Sequence, residues 1–457
     1  MDRVILHSDC NCFYASVEML HQPGLWKIPM AVGGDPEARH GIVLTANYIA
    51  KRMGVKTGMA LWQAKQACPE ITFVPPRMDL YIKFSRIIRQ IYGEYSDLVE
   101  PFGLDEAWID VTASTRLKGD GRKIAEEINA RIKKEVGITV SVGVSWNKVY
   151  AKLGSDYKKP DAVTEFSREN CREIVYPIPV EDLLYVGRAT KRKLYNLGIT
   201  TIGQLAEADP ELLHRIFGKI GLMLSVFSRG LDATPVSPEN TQAPIKSIGN
   251  STTTPRDLES DEDVDLVLYL LSESVASRCR DNGFAGRVIE VYVRDSSLFC
   301  CGKQRKIGTP TNISGEIHDV AMELFHEIYD WHSPIRSIGV RVGDLKPDTW
   351  PYQLDLFHDE QYRQRLLRAD VAMDDIRRRF GFSAVQRGIM YRDRYLSSLN
   401  AKADDHMIHP HSYLERGNRT GAEQLLLQSE GAERWSSPAA GRMLREDVIR
   451  GKSHGGL

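Results

Sequence analysis

Hydrophobic and polar positions recur with changing period along this chain, and the changes mark its segments. The apolar run Val4-Ile5-Leu6 leads into Asp9 and predicts a strand that delivers a carboxylate at its end. A second short strand, Ala107-Trp108-Ile109-Asp110-Val111, follows Leu104-Asp105-Glu106 and carries two acids at its entry. Ile138, Val140, Val142 and Val144 alternate with Thr139, Ser141, Gly143 and Ser145, the period of a half-buried antiparallel strand. Just before it, Ile124, Ile128, Ile132 and Val136 recur every four residues and predict a helix covering the sheet. Residues 1–166 therefore read as an α+β unit. Residues 167–233 read as helices with tight turns. Residues 234–244 hold Pro235, Pro238 and Pro244 with few large apolar side chains, which predicts an extended tether. Beyond it, residues 288–293 and 337–342 are strand-like. Between them Ile313, Ile317, Val320, Leu324 and Ile328 mark one face of a helix.

At 457 residues the chain exceeds a single core, and two to four domains are expected. Its 42% hydrophobic and 26% charged content is that of a soluble globular protein. No apolar run approaches the roughly 18–20 residues that span a membrane, and no signal peptide opens the sequence. The seven cysteines lack zinc spacing, so a reduced, cytoplasmic interior is expected. A net charge of −1 excludes a surface that is basic throughout. Positive charge is local instead: Arg188, Lys191, Arg192 and Lys193 form one cluster, and Lys303, Arg305 and Lys306 another. Either alone reads as a solvated face; two in separate domains predict a DNA track.

Asp9, Asp105 and Glu106, drawn from two strand ends, can hold a pair of divalent cations about 3.5–4 Å apart. Oxygen donors without clustered His or Cys favour magnesium over zinc. A solvated turn is the bland reading of such acids, and the surrounding strings decide against it. Asp9-Cys10-Asn11-Cys12-Phe13-Tyr14-Ala15, Thr45-Ala46-Asn47-Tyr48, Leu104-Asp105-Glu106-Ala107, Ser145-Trp146-Asn147-Lys148-Val149-Tyr150-Ala151-Lys152 and Lys159-Pro160 occur in this order. On these strings the chain resembles the Y family of translesion DNA polymerases, and within it the bacterial polymerase IV branch, over residues 4–345.

The resemblance implies a right-hand α+β architecture. The palm would take 1–19 and 77–166, the fingers 20–76, the helical thumb 167–233, the linker 234–244 and an α/β little finger 245–346. It implies that Asp9, Asp105, Glu106 and the Cys10 backbone carbonyl hold two Mg2+ ions, with Asp105 and Glu106 catalytic. Tyr14 would be the steric gate against ribonucleotides, beside Phe13, although on pattern alone either aromatic fits a core. Thr45, Tyr48, Lys51 and Lys159 would meet the triphosphate, and Lys51 stands where many relatives carry arginine. Ile42 and Leu44, on one face of a strand over 41–45, would roof the nascent base pair where well-known members carry alanines. Bulky template adducts such as pyrimidine dimers should then fit poorly.

Gly187, Arg188, Thr190 and Lys191 look like a helix-hairpin-helix on DNA phosphate, degenerate because Tyr185 replaces its usual first glycine. Lys246, Arg305 and Lys306 would touch DNA from the little finger. Gln353-Leu354-Asp355-Leu356-Phe357 matches the pentapeptide that docks into the bacterial sliding clamp, ahead of a helix within 347–394. Residues 395–457 lack any period and are expected to be disordered. The expected protein is a monomer acting on primer-template DNA and deoxynucleoside triphosphates at low fidelity, without proofreading. Its rivals are another two-metal palm enzyme, such as a nucleotide cyclase, and a catalytically silent accessory protein bound to clamp and DNA.

Overall fold

Every residue of the first strand, β1 (Ile5–Cys10), is buried, because helices cover both faces of the sheet it centres. The computed structural model describes residues 2–34, 41–238, 245–351 and 359–399, which divide into two units. In the first, β1 is followed by α1 (Phe13–His21), β2 (Met30–Gly33), β3 (Val43–Ala46), α2 (Tyr48–Arg52), α3 (Leu61–Ala67), β4 (Thr72–Val74) and α4 (Met78–Gly93). Then come β5 (Val99–Pro101), β6 (Glu106–Asp110), α5 (Thr115–Lys118), α6 (Gly121–Glu135), β7 (Val140–Ser145), α7 (Lys148–Tyr157) and β8 (Val163–Glu165). The main sheet has the order β5-β6-β1-β7-β8, antiparallel except for the pair β7 and β8.

Helix α6 lays Ile124, Ile128 and Ile132 into one core with Val140, Val142 and Val144, as the four-residue period predicts. The alternate positions Ser141, Gly143 and Ser145 are also buried, so β7 is covered on both faces and not half-exposed. Their small size admits α7 instead of facing water. A Cβ at Gly143 would lie 1.9 Å from the Ala151 carbonyl oxygen, so only glycine allows this approach. Asn147 starts α7 by accepting the Tyr150 N–H at 2.8 Å. Strands β3, β2 and β4 form a separate small sheet over Ala31, Val43, Ala46, Ala50 and Leu61.

The helices α8 (Cys171–Ile174), α9 (Arg188–Asn196), α10 (Ile202–Glu207), α11 (Pro210–Phe217) and α12 (Lys219–Ser228) complete this unit. The expected tether does not begin free. Val236 is buried with Ile5, Trp108 and Ala151, and the Ser237 N–H donates to Glu100 at 2.8 Å. One apolar side chain among the prolines is enough to dock the stretch up to 238, because β1 and α7 leave an apolar seat for it.

The second unit contains β9 (Ser247–Leu258), α13 (Asp261–Asp281), β10 (Phe284–Asp295), β11 (Cys300–Thr311), α14 (Ser314–Ile328) and β12 (Ile335–Pro347). Its sheet is antiparallel in the order β11-β10-β12-β9, with α13 and α14 in one core with it. Two further helices, α15 (Glu360–Phe380) and α16 (Arg394–Ser397), belong to the same unit. The expected helix after 347 is α15, and the core of this unit takes in Met390 and, within the stretch expected to lack structure, Leu396. Helix α15 is held by charge: Arg280 reaches Asp370 at 3.2 Å and Asp374 at 2.7 Å, while Glu273 meets Arg377 at 2.9 Å and Arg387 at 2.7 Å. Removing one member of so buried a network leaves its partners uncompensated, at a cost of about 3–5 kcal/mol. Arg280→Ala should lower the unfolding free energy of this unit by that amount in urea titrations. A loss below about 1 kcal/mol would mark the pairs as solvated surface contacts.

Candidate active site

Strand register brings the acids together. Asp9 on β1 stands directly opposite Glu106 on β6, and the Cys10 N–H donates to the Asp105 carbonyl at 2.9 Å. Because side chains alternate along a strand, His7 and Asp9 share one face, as do Glu106 and Trp108 across from them. Helix α7 lies on that face and brings cations to it. The Lys152 ammonium contacts a Glu106 carboxylate oxygen. Just past the helix, Lys159 lies 2.7 Å from Asp9 and 2.7 Å from Asp156. His7, fully buried, places Nε2 3.3 Å from Glu106 Oε2 and Nδ1 2.8 Å from Ser155 Oγ.

The electrostatics follow from this crowding. Burial pushes the Asp9 carboxyl up to about 7, against the pull of Lys159 and with the repulsion of Glu106 and Asp105. Burial and the Glu106 charge push Asp105 up to about 6. Burial works to raise Glu106 as well, but the His7 hydrogen bond and the Lys152 charge carry it down to about 2. Burial holds His7 itself down to about 4, so near neutral pH it lends Glu106 a hydrogen bond and no charge. As the protein stands, no three His, Cys, Asp or Glu side chains among the described residues converge closely enough to ligate one metal. The donor set nevertheless fits a hard divalent ion. All its ligating atoms are oxygens, and added positive charge is what would let both Asp9 and Asp105 ionise side by side.

A tight turn through Cys12, whose φ of +49° is left-handed, starts α1 directly after β1. Tyr14 is partly exposed there and stacks on Tyr81, with ring centroids 4.4 Å apart and planes 15° apart. Phe13, by contrast, is 2% exposed inside the core, so its ring offers no face to a nucleotide. The Tyr48 hydroxyl at the head of α2 donates to Asn11 Oδ1 at 3.3 Å, and the exposed Lys51 sits 5.1 Å from the Tyr48 ring. Thr45 lies on β3 opposite Val32. Ile42 precedes β3, exposed and bridged to Ala60, and Leu44 is half-buried against the main core. The structure thus gathers Asp9, Cys10, Asp105, Glu106, Tyr14, Tyr48 and Lys159.

In the helical part, Gly187 is the N-cap of α9, Arg188 is exposed, Thr190 is half-buried and Lys191 pairs with Glu181 at 2.7 Å. Tyr185 adopts φ +70°, so the hairpin keeps the left-handed turn that glycine favours even though tyrosine occupies it. In the second unit Lys246 is exposed, whereas Lys306 lies 3.4 Å from Asp344 and Arg305 contacts Glu323 and Glu327. Its basic cluster is thereby largely ion-paired. Gln353, Leu354, Asp355, Leu356 and Phe357 lie outside the described residues.

Sequence reasoning missed several members of this site. Lys152 and Asp156, four positions apart on α7, carried a signal that could have aimed them at the acids beside Lys159. The buried Glu18, which accepts from Arg77 at 2.5 Å and from the Tyr81 hydroxyl at 2.6 Å, left no such signal.

Comparison with known proteins agrees with this geometry. The impB/mucB/samB family matches residues 8–156, its C-terminal domain matches 245–356, and the thumb domain of DNA polymerase-iota matches 181–232. The chain is 49% identical to DNA polymerase IV of Acetivibrio thermocellus over 87% of its length and 100% of that protein's. It is 37% identical to DNA polymerase IV 2 of Bacillus subtilis, over 84% of this chain and 94% of the relative. A solved chimeric Y-family DNA polymerase superposes with a TM-score of 0.65 at 26% identity, covering 75% of this chain and 99% of the other. The class that fold and site define is a right-hand polymerase with palm, thumb and little finger. The chain belongs to the Y family of translesion DNA polymerases. Its reaction is DNA-directed DNA synthesis, and membership carries with it the use of divalent metal.

Proposed function

We propose that Asp9, Asp105 and Glu106, with the Cys10 backbone carbonyl, hold two Mg2+ ions for attack of a primer 3′-hydroxyl on a deoxynucleotide α-phosphate. The pairing of Asp9 with Glu106 across adjacent strands, with Asp105 beside them, carries this reading. Such ions, when bound, supply Lewis acidity that lowers the hydroxyl pKa and neutralises charge on the phosphates. The chain's own side chains do the rest. Lys159 and Tyr48 meet the triphosphate, Thr45 and Lys51 assist from β3 and α2, and Lys51 gives a point charge without a bidentate fork. Tyr14 lies under the sugar. Gly187, Arg188, Thr190, Lys191, Lys246, Arg305 and Lys306 hold DNA backbone, the last two after exchanging their carboxylate partners for phosphates. Primer extension on a 5′-overhang template with magnesium tests the whole reading: no templated addition refutes it.

In this reading palm, fingers and thumb take the boundaries given above, and the little finger runs from 245 to 399, with support from the buried Met390 and Leu396. The enzyme works as a monomer in the cytoplasm; none of the helices among the described residues is long and apolar enough to cross a membrane. Gln353 to Phe357 dock on a bacterial sliding clamp, with Leu356 and Phe357 as anchors. Deleting these five residues should leave extension on short primers unchanged but remove stimulation by a loaded clamp, a tethering gain of roughly 10²–10⁴. A deletion that still responds to the clamp as the full chain does refutes the docking assignment.

Ile42 and Leu44 roof the templating pair. Side chains of that volume resist a bulky adduct, because a packed site yields space at about 1–3 kcal/mol. Replacing both with alanine should improve bypass of a pyrimidine dimer relative to undamaged template by roughly tenfold or more, at ~1.4 kcal/mol per decade. No gain would mean that the two residues only pack within the fingers.

A further inference from the structure

The fully buried imidazole of His7 lies between the catalytic acids and helix α7. It sits on the same face of β1 as Asp9, opposite Trp108 and diagonal to Glu106, with its ring 5.2 Å from the Trp108 ring in an edge-on contact. Its Nε2 stands 3.3 Å from Glu106 Oε2, within ion-pair distance, and is a buried nitrogen without a well-aligned hydrogen bond. Its Nδ1 is 2.8 Å from Ser155 Oγ, which in turn lies 2.7 Å from the Lys152 carbonyl oxygen. The serine hydroxyl has one proton to give. If it goes to the Lys152 carbonyl, the ring must donate through Nδ1, and its bare Nε2 lone pair then faces an anion in a buried pocket. If it goes to Nδ1, the ring proton resides on Nε2 and points at Glu106. Only the second arrangement sets a proton, and not a lone pair, against the buried carboxylate, and the Lys152 carbonyl keeps its place in the helix ladder.

We propose that His7 is a positioning residue for metal binding: its Nε2–H, oriented by Ser155, fixes the Glu106 carboxylate so that one oxygen is presented to the ion. Lys152 contacts the same Oε2 but is a flexible point charge on a long stem, and it can swing away when a cation arrives. The imidazole cannot. It is locked by Ser155 on one side and Trp108 on the other, on a central strand. A rigid donor on one carboxylate oxygen leaves the other free to ligate, the arrangement by which outer partners orient metal ligands. The inference rests on the reading of Glu106 as a metal-holding carboxylate, so the experiment separates the two.

The test is Mn2+ binding to the full chain on dideoxy-terminated primer-template DNA, read from the free-ion electron paramagnetic resonance signal without turnover. Glu106→Ala is measured first. If it leaves Mn2+ affinity unchanged, the metal reading of Glu106 fails. If it weakens binding, His7→Leu should raise the Mn2+ dissociation constant about 10–100-fold. His7→Gln, whose amide nitrogen can stand near the place of Nε2, should recover most of that loss. The half-saturating metal concentration for extension should move in parallel, while KM for the nucleotide at saturating metal stays put. Unaltered Mn2+ affinity in His7→Leu, or equal loss in His7→Leu and His7→Gln, overturns the proposal. Should His7→Leu fail to fold, Ser155→Ala, which keeps the ring but frees Nδ1, carries the test: weakened binding supports the role and native binding overturns it.

Discussion

Asp105→Ala abolishes nucleotide addition, by at least ~10³-fold, while primer-template binding stays largely intact. Loss of a single electrostatic contact to a developing charge already costs about 10²–10³, and Asp105→Ala would remove one of the carboxylates proposed to hold metal. In the proposed reading the duplex is held by phosphate contacts from other domains, which do not involve this carboxylate. The variant should not unfold either. Asp105 is raised to about 6 in the folded chain, above its ordinary value of 3.8, so the folded state takes up a proton that the unfolded chain releases. Its stabilising contribution is present below about pH 4 and lost as the pH rises through 6. At pH 8 without metal the charged Asp105 therefore works against the fold, and Asp105→Ala should melt no lower than the parent. Glu106→Ala is the harsher change, because it removes the carboxylate that Lys152 contacts and that stands 3.3 Å from the buried His7 Nε2. It should lose activity to the same extent and also lose stability. Robust extension by Asp105→Ala at saturating magnesium would refute the catalytic assignment.

What the sequence made legible follows a physical division. Asp9, Asp105, Glu106 and Tyr14 were named from the strings that carry the family resemblance, and strand register sets Asp9 opposite Glu106. Helix α6 could be read because Ile124, Ile128 and Ile132 recur every four residues on its buried face. The second cover on β7 could not, since Ser141, Gly143 and Ser145 look like a solvent face and are small in order to admit α7. The docking of α15 was hidden for a related reason. Its buried residues are Asp370, Asp374 and Arg377, so the face that packs carries charge and no apolar stripe. His7 and Ser155 are separated by 148 positions and meet only through strand register and helix packing. The expected boundary at 346 followed the end of the family resemblance and that at 395 the end of any period, and the second unit continues past both, held in part by ion pairs.

Tyr14→Ala should raise ribonucleotide incorporation by one to two orders of magnitude and change deoxynucleotide use far less. A gate must hold still, and the structure provides the reason that this ring does. Tyr14 stacks on Tyr81, which is fully buried and donates its hydroxyl to Glu18 at 2.6 Å. Glu18 is itself buried and held by Arg77, whose Nε is 3.0 Å from one carboxylate oxygen. Tyr14 thus rests on a hydrogen-bonded and ion-paired platform, with one side against the core and the other accessible. Forcing an extra hydroxyl against a ring that cannot retreat costs about 1–3 kcal/mol, and ~1.4 kcal/mol is tenfold in selectivity. Loosening the platform should leak in the same direction: Tyr81→Leu removes the stacking partner while leaving Tyr14, and should raise ribonucleotide use by a smaller factor. Single-nucleotide insertion kinetics with paired ribo- and deoxynucleotides give both ratios. An unchanged sugar preference in Tyr14→Ala would make Tyr14 a core aromatic, and sugar discrimination would then have to come from another residue.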